Sequence, residues 1–487
     1  MWTRGHIWRE MKLVSIKTGL SVCLWVFAFS FTLFAIQSGD ALIYLAIARD
    51  ILLKGEWHNI PDPYAYTGQH SLLIWTHEYL SYLLFWWASE AAGLAGLILF
   101  KALVWGAVFL IVLRSKPTVQ NTSWLWMAAW AMAVLAGSFR FIERSSMLSD
   151  LLTVWLVYDL IDREKVERTW LFRTTLLFAL WVNLHPGFPI GFALLLIWAI
   201  HRTWIAKTIT LRQWPWLLLP VLATCVHPEL WRGLSYPFEF AAGSEASIFK
   251  KYNFEWMPPY HPLFRWAPET VAFWCLVGLT FFTLLRERSW FSLRTWFALF
   301  SLAMALKAVR FVPWVSFSLL ICIKPWCELK LISNFPRRFA ATLVGVLLLA
   351  IAIKNVTLGY RASSGARLPT WGLDPKFFPV QTVQFLRNQP IPGRLYNSHD
   401  LGGYLIWTKM TPVFHHGFMT DMEFYEKEVI GVLNSKAEFD RLAEKYNWTM
   451  LLVERYGTFF RWRQILIDDP RWRIVAEDEA SYLIYKF

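Results

Sequence analysis

Long apolar runs without charges recur along the chain, and short polar connectors separate them. A helix needs about 20 consecutive, mostly apolar residues to cross the hydrocarbon core of a bilayer. The pattern therefore predicts an all-α polytopic membrane bundle of about eleven transmembrane helices. Their expected ranges are 18–36, 94–113, 124–139, 147–161, 171–185, 188–203, 214–226, 269–285, 291–308, 311–323 and 338–354.

The pattern changes after the last of these runs. Residues 355–370 include RASSGARLP and are predicted to form a linker. Over residues 371–487, short helical and extended patterns alternate, which predicts a small α/β domain. Helices are expected at 377–389, 402–409, 437–446 and 460–468, and strands at 393–397, 411–416, 450–454, 471–477 and 481–487.

Composition supports a membrane protein. Of the 487 residues, 56% are hydrophobic and only 17% are charged, whereas typical soluble domains have about 25% charged residues. The 31 Trp fit the same class, since Trp concentrates at bilayer interfaces. We therefore expect the lipid bilayer as a partner. The net charge of +13 does not indicate nucleic acid, because the basic residues lie in short connectors.

The positions of these basic residues predict the topology. If residues 1–17 form a basic cytoplasmic N-terminus, every expected inner connector is basic, as the positive-inside bias requires. The domain at 371–487 then lies outside. The basic connector residues are Arg114, Lys116, Arg163, Lys165, Arg168, Arg173, Arg202, Lys207, Arg212, Arg286, Arg288, Arg294, Lys324, Lys330, Arg337 and Arg338.

Two long loops are expected on the outer side. The loop at 38–93 contains two short apolar or aromatic stretches, 41–54 and 77–91, that are predicted to lie along the membrane as interfacial helices. IPDPYAYT, a proline-directed turn, joins them. The second loop, at 227–268, is rich in proline and aromatic residues and too apolar to be disordered.

Ionisable residues gather at the expected outer ends of the helices. Such groups are costly at membrane depth and usually line a site, so the set predicts a functional site. Taken singly, each is equally well read as an interfacial charge that reaches water. Lys101, within the second apolar run, is expected to extend to the interface. The gathered residues are Asp40, Arg140, Glu143, Arg144, His185, Lys307 and Arg310.

Several motifs in order resemble those of a bacterial branch of GT-C-fold membrane glycosyltransferases, related in architecture to enzymes of the PMT and ArnT type. Each motif alone is weak, but their collinear order through most of the chain is fairly specific for the family, although not for a substrate. The motifs are SGDALIYLAIARDILLKGEW, IPDPYAYT, WTHEYLSYLLF, RFIERSSMLS, LWVNLHPGFPIGF, CVHPELWRGLSYPF, AVRFVP and NSHDLGGYLIW.

The chain departs from that branch at three motifs. VFHHGF at 413–418 stands where the branch commonly has V-F-[IM]-D-G-R, so an acid and an arginine are lost. HPGF replaces H-G-G-F, and the R-P-Q element is reduced to RSS. These departures leave sugar specificity and activity open.

The resemblance implies a multi-pass protein of the bacterial inner membrane. It also implies inverting sugar transfer from a polyprenyl-phosphate donor to a glycan, lipid or protein hydroxyl. Asp40 is the expected general base. Asp62 and Glu78 are second catalytic candidates, either to orient the acceptor or to help bind a divalent cation. Cations must stabilise the departing phosphate. The expected phosphate and sugar ligands are Arg310, Lys307, Arg140, Arg144, His185, His77, Trp256 and Tyr64.

A protein-held divalent cation, Mg²⁺ or Mn²⁺, is not required by the pattern, because no closely spaced ligand motif such as H-x-x-x-H occurs. If one binds, its candidate ligands are Asp40, Asp62, His77 and Glu78. His58, His70 and His185 add further imidazoles. Trp57, Tyr66 and Trp75 add aromatic surface for a sugar or a lipid tail, although anchoring at the bilayer interface is the expected role of most of the aromatic residues.

Two other function classes stay open. A non-catalytic GT-C-like scaffold, which binds a lipid-linked glycan or a partner protein in cell-envelope assembly, would explain the altered VFHHGF motif. A transporter fits less well, because the charges gather at the outer ends of the helices and no inverted repeat is evident.

Overall fold

The computed structural model describes residues 19–55, 62–67, 77–115, 124–242, 250–324, 337–363, 365–418, 421–456, 459–466 and 469–487. Up to residue 358 the described chain consists of helices joined by turns and loops. The helices are α1 (Gly19–Ser30), α2 (Gly39–Lys54), α3 (Tyr79–Arg114), α4 (Trp124–Gly137), α5 (Ser146–Ile161), α6 (Arg168–Leu184), α7 (Phe188–Ile200), α8 (Leu218–Ala223), α9 (Trp231–Ala242), α10 (Pro268–Glu287), α11 (Leu293–Lys307), α12 (Val312–Ile323) and α13 (Arg337–Leu358).

Three of these helical stretches are long and apolar enough to cross a membrane: Tyr79–Arg114, Phe188–Ile205 and Pro268–Glu287. Shorter apolar helices occupy Gly19–Ser30, Leu125–Arg140, Val309–Ile323 and Thr342–Leu358. The protein is therefore a helical membrane protein, whereas the number of eleven spans stays a prediction.

The expected span at 214–226 is not one continuous α-helix. Its first part belongs to a 3₁₀-helix, Leu211–Leu217, and only the six residues of α8 follow in α-conformation. Pro215 lies inside the 3₁₀ segment. Proline lacks the backbone N–H that an α-helix needs in its interior, which explains the interruption.

The two stretches expected as interfacial helices differ in the structure. The first forms α2, but most of its residues are buried against the rest of the protein. The second is the beginning of α3, which continues into the next apolar run after a break at Ala92 and Gly93. Gly93 has φ +60°, a left-handed conformation that glycine adopts without a Cβ penalty.

Lys101 does not extend to an interface. Its side chain is 0% exposed, and its Nζ lies 2.5 Å from Glu143 Oε1, which is also 0% exposed. The ammonium group also donates a hydrogen bond to the carbonyl of Phe34. This ion pair joins α3 to the segment between α4 and α5. Each of the two buried charges thereby has the close partner of opposite sign that a buried charge needs.

The C-terminal part contains a four-stranded sheet with several short helices. The strands are β3 (Arg394–Asn397), β4 (Trp448–Glu454), β5 (Trp472–Glu477) and β6 (Ser481–Lys486), and the helices are α14 (Val380–Asn388), α15 (Gly402–Trp407), α16 (Met422–Phe424), α17 (Lys436–Lys445) and α18 (Phe459–Leu466). The strand order is β3-β4-β6-β5, in which β4 pairs in parallel with β3 and antiparallel with β6, and β5 pairs antiparallel with β6.

Two segments differ from the expected secondary structure. The predicted linker contains a small hairpin of β1 (Tyr360–Ala362) and β2 (Gly365–Arg367). The expected strand at 411–416 does not join the sheet. Instead Val413 forms an isolated parallel bridge with Ala65.

These contacts hold the C-terminal part against the N-terminal loops. The Val413 N–H donates to the carbonyl of Tyr64 at 2.7 Å, and the Tyr66 N–H donates to the carbonyl of Val413 at 3.0 Å. A second bridge joins Ile36 to Leu373. Through these contacts the C-terminal part reaches the start of α2, where Asp40 lies.

Candidate active site

Asp40 lies in the first turn of α2, where the partial positive charge of a helix N-terminus favours a carboxylate. Arg144 lies in the turn between α4 and α5, and its Nη2 is 2.9 Å from Asp40 Oδ2. About a quarter of the Asp40 side chain, 27%, is exposed. Asp40 is thus paired with a cation and still accessible from one side.

Glu255, which the sequence analysis did not single out, joins Arg144 to Arg140. It lies in a 3₁₀-helix, Phe254–Trp256, of the second long loop. Its Oε1 is 2.7 Å from Arg140 Nη1 and also accepts a hydrogen bond from Arg144 Nη1. Arg140 ends a short 3₁₀ segment after α4. One carboxylate oxygen therefore bridges both arginines of the α4–α5 turn.

Arg310 approaches the same group from the segment before α12. Its guanidinium carbon lies 4.4 Å from the ring centre of Trp256, within the range of a cation–π contact. Its charge also interacts with those of Glu255 and Asp150. We call Asp40, Arg140, Arg144, Glu255 and Arg310 the Asp40 cluster.

Glu78 lies beside the Asp40 cluster with both histidines that the sequence analysis proposed. The Nε2 atoms of His77 and His185 are each 3.6 Å from Glu78 Oε1. Glu78 also shares a hydrogen bond with Ser145, whose Oγ is 3.2 Å from the hydroxyl of Tyr44. Because Ser145 is the neighbour of Arg144 in the chain, this hydrogen-bonded group adjoins the Asp40 cluster.

Asp62 contacts other residues than those of the Asp40 cluster. It is buried, and its Oδ2 is 2.6 Å from Nε2 of His416, which is buried as well. Its Oδ1 accepts hydrogen bonds from the backbone N–H groups of Tyr64 and Ala65. Asp62 therefore fixes the IPDPYAYT turn to the VFHHGF segment.

The remaining proposed residues are spread more widely. Tyr64 is buried, and its hydroxyl donates to Asp50 Oδ2 at 2.6 Å. The Tyr66 hydroxyl donates to the carbonyl of Leu395. Lys307 is exposed at the end of α11. Trp57, His58, His70 and Trp75 lie outside the described residues.

The C-terminal part closes over Asp40 at a glycine. A Cβ atom at Gly417 would lie 3.2 Å from Asp40 Oδ1 and 3.9 Å from His399 Nε2. His399 Nδ1 is 3.2 Å from His415 Nδ1. The oxygen of Asp40 that does not face Arg144 therefore borders on Gly417 of the VFHHGF motif, near His399.

Burial and neighbouring charges set the protonation of these carboxyls. Burial raises the pKa of Asp40 above its ordinary value, although the charge of Arg144 opposes that rise. Burial also acts to raise the pKa of Glu255, but Arg140, Arg144 and Arg310 together hold it well below its ordinary range. Glu255 is thus a firmly ionised partner of the arginines, whereas Asp40 is the more basic carboxylate.

The described residues do not fit a protein-held metal. Among them, no group of three or more His, Cys, Asp or Glu side chains is arranged to hold a metal ion. The four candidate ligands are divided: Asp62 pairs with His416, Asp40 pairs with Arg144, and Glu78 faces His77 and His185.

Solved structures of similar architecture exist for nearly the whole length of the chain. The chain is similar to ArnT from Cupriavidus metallidurans bound to undecaprenyl phosphate, with a TM-score of 0.52, 13% identity, and coverage of 96% of this chain and 97% of that chain. It is similarly related to the apo state of that ArnT, at a TM-score of 0.52 and 14% identity over 98% of each chain. The chain has the GT-C fold.

A third match extends the same comparison. The apo oligosaccharyltransferase of Archaeoglobus fulgidus has a TM-score of 0.53 and 12% identity, and the match covers 92% of this chain and 70% of that chain. Identities this low show the fold alone. No protein-family model and no curated protein sequence matches the chain.

Beside the Asp40 cluster, the GT-C fold of this chain contains a cavity of about 220 Å³. Arg140 and Glu255 form part of its wall. The rest of its lining is mostly apolar or aromatic and includes Phe139, Ile142, Phe254, Phe264, Val309 and Phe377, with Gln37 and Arg367 as further polar members. An apolar space therefore adjoins the cationic part of the cluster.

Proposed function

We propose that this protein transfers a sugar from a polyprenyl-phosphate-linked donor to an acceptor hydroxyl on the outer face of a bacterial inner membrane. The observation that carries the proposal is the Asp40 cluster, in which the partly exposed carboxylate of Asp40 pairs with Arg144. Glu255 links Arg144 to Arg140 and interacts with the charge of Arg310. A base and a cationic phosphate site are the two elements that such a transfer needs.

Asp40 is the general base in this proposal. Its Oδ1 takes the proton of the acceptor hydroxyl while the acceptor oxygen forms a bond to the anomeric carbon. The bond from that carbon to the phosphate oxygen breaks, and its electron pair leaves with the polyprenyl phosphate. Attack opposite the leaving group inverts the configuration. Arg144 holds the other oxygen of Asp40 and so keeps Oδ1 directed to the acceptor.

Arg140, Arg144 and Arg310 bind the departing phosphate. A guanidinium group presents donors in a planar fork that matches phosphate oxygens, and these cations would stabilise the charge that develops there. Trp256, which packs against Arg310, keeps one guanidinium in place. Glu78, with His77 and His185, lies on the side of Ser145 and is proposed to orient the acceptor.

The apolar cavity supports a lipid-linked donor. It meets the cluster at Arg140 and Glu255, so a prenyl chain in the cavity would leave its phosphate next to the arginines. ArnT of C. metallidurans, which shares the fold, was solved with undecaprenyl phosphate bound. With the N-terminus inside, the C-terminal α/β part lies outside and covers Asp40 at Gly417.

Turnover with defined donors tests this proposal. The full chain in nanodiscs is incubated with a panel of labelled undecaprenyl-phosphate sugars and an envelope extract containing glycan, lipid and protein acceptors. We expect acceptor-dependent release of undecaprenyl phosphate with at least one donor. Undecaprenyl phosphate that binds without any turnover across the panel would favour a non-catalytic scaffold, for which the altered VFHHGF motif is the supporting observation.

A further inference from the structure

His399 of the NSHDLGGYLIW motif lies beside Asp40, and the proposed transfer does not use it. A Cβ atom at Gly417 would lie 3.9 Å from His399 Nε2 and 3.2 Å from Asp40 Oδ1. The side chain of His399 is 39% exposed, and Asp400 Oδ1 lies 4.0 Å from Nε2, too far for a hydrogen bond. One imidazole nitrogen and one carboxylate oxygen therefore border the same small space, which Gly417 leaves without a side chain.

The sheet of the C-terminal part directs His399 to this space. His399 follows β3 by two residues, and β3 runs parallel to β4. In open α/β sheets, ligands bind outside the carboxyl ends of the strands. Asn397, the last residue of β3, fixes this end to the VFHHGF segment, because its Nδ2 donates to the carbonyl of His415 and its Oδ1 accepts from the N–H of Phe414. The edge of the sheet at which ligands are expected therefore faces Asp40.

His415 fixes the orientation of the His399 ring. The two Nδ1 atoms are 3.2 Å apart, so one ring donates a hydrogen bond to the other. His415 is 1% exposed, and the ring of Tyr425 packs against both imidazoles, with its centre 5.6 Å from that of His399 and 5.3 Å from that of His415. Since Nδ1 of His399 is engaged, Nε2 is the atom that this residue offers to a ligand.

We propose that His399 binds the acceptor and restricts it to a sugar with two neighbouring hydroxyl groups. One hydroxyl gives its proton to Asp40 Oδ1 in the transfer, and the other forms a hydrogen bond with His399 Nε2. The inference rests on the proposed function and adds to it the class of acceptor: a glycan, in preference to a serine or threonine hydroxyl of a protein or a single hydroxyl of a lipid.

The chemistry of the hydroxyl group supports a neighbouring pair. A hydroxyl both donates and accepts hydrogen bonds, so it fits His399 Nε2 in either tautomer of the ring. An acceptor with one hydroxyl reaches Asp40 but covers Nε2 without a partner, and a buried polar atom without a hydrogen bond costs free energy. Sites that hydrogen-bond a substrate hydroxyl reject analogues that lack it for this reason.

Equilibrium binding to the full chain in nanodiscs tests the inference. The probes are the methyl glycosides of glucose, galactose and mannose, their monodeoxy derivatives and a serine-containing peptide, each measured by calorimetry with undecaprenyl phosphate present. We expect the wild type to bind at least one glycoside, and loss of either of two neighbouring hydroxyl groups to weaken that binding at least about tenfold. The serine peptide should bind at least about tenfold more weakly than this glycoside.

Three variants identify the residue that reads the second hydroxyl. His399→Phe keeps the ring but removes both nitrogens. It should bind the parent glycoside at least about tenfold more weakly, and removal of one of the two hydroxyl groups should then have no further effect, because its hydrogen-bond partner is gone. His399→Gln retains a polar atom near the position of Nε2 and should bind between wild type and His399→Phe. His201→Phe, a buried histidine at the end of α7 farther from His185, is the matched control and should bind every probe as the wild type does.

The outcomes separate this inference from the proposed function. An equal loss for the parent glycoside and all its deoxy derivatives in His399→Phe would assign the residue a structural role and overturn the inference. Binding of the serine peptide as tightly as any glycoside, or no glycoside bound by the wild type, would overturn the acceptor class. Absence of transfer from every labelled donor, with hydroxyl-dependent glycoside binding intact, would instead reject the proposed function and leave the sugar site at His399.

Discussion

Arg144 and Asp40 form an ion pair across the start of α2, with 2.9 Å between Nη2 and Oδ2. The second oxygen of Asp40 is directed to the C-terminal part, where a Cβ atom at Gly417 would lie 3.2 Å from it. One side of Asp40 is therefore occupied by a cation that also contacts Glu255, and the other side borders the proposed path of the acceptor.

The arginines of the Asp40 cluster should control binding of the lipid phosphate. Arg140→Gln and Arg310→Gln each remove one proposed phosphate ligand, so each should weaken undecaprenyl phosphate binding at least about tenfold, as expected for the loss of a charge-assisted hydrogen bond. Lys376→Gln serves as the control, because Lys376 is exposed in the C-terminal part. An equal loss in Lys376→Gln would show that general positive charge, and not the cluster, attracts the lipid.

The pH dependence of kcat/KM should report Asp40. A base must be ionised to act, and burial raises the pKa of Asp40 above its ordinary value of 3.8 despite Arg144. Activity should therefore fall with decreasing pH at a midpoint above 3.8. Arg144→Gln removes the cation that opposes the rise, so its residual activity should fall at a still higher pH. The charges of Glu255, His399 and Asp400 also act on this carboxyl.

A midpoint that stays fixed when Arg144 is replaced would contradict the assignment of this titration to Asp40. The same pH series with Glu90→Gln, an exposed glutamate of α3, should reproduce the wild-type profile.

Asp62 should matter for stability more than for chemistry. Asp62→Ala leaves His416 and two backbone N–H groups without their acceptor, which costs about 3 kcal/mol for a buried pair. The unfolding temperature in detergent should fall, while transfer per folded molecule stays near the wild-type value. Asp440→Asn, in a partly exposed pair with Lys436, is the control. Loss of transfer at an unchanged unfolding temperature would instead make Asp62 part of the reaction.

Gly417 should keep Asp40 accessible. In Gly417→Ala the added methyl group lies 3.2 Å from Asp40 Oδ1, which crowds the place of the acceptor hydroxyl. Transfer should fall at least about tenfold, or ~1.4 kcal/mol in the barrier, with binding of undecaprenyl phosphate unchanged. Gly372→Ala, where an added Cβ meets nothing within 4 Å, should transfer normally. Full activity of Gly417→Ala would place the acceptor elsewhere.

Hydrophobic runs and charge positions predicted most of the helices, because α-helices in a bilayer are dictated by local composition. They also pointed to Asp40, Arg140, Arg144 and Arg310, whose charges stand out against apolar sequence. Glu255 was missed, since its partners lie more than a hundred positions away and its loop is merely rich in aromatics. The only local signal was an acid within that apolar loop.

The pairing of Asp62 with His416 was missed for a similar reason. The motif comparison marked VFHHGF as a loss of an acid and an arginine, but the spacing of residues does not reveal contacts over 354 positions. The same contacts explain the absent strand at 411–416: Val413 pairs with the backbone beside Ala65, and this tertiary pairing overrides the local preference for joining the sheet.

The central claim is that Asp40 is the base for sugar transfer, and Asp40→Asn tests it most directly. The variant keeps the shape of the side chain but removes the base, so wild type and variant are compared at equal amounts of folded protein with the same labelled undecaprenyl-phosphate sugar. We predict acceptor-dependent transfer by the wild type and none by Asp40→Asn, with undecaprenyl phosphate bound by both. Transfer by Asp40→Asn at the wild-type rate would contradict the account.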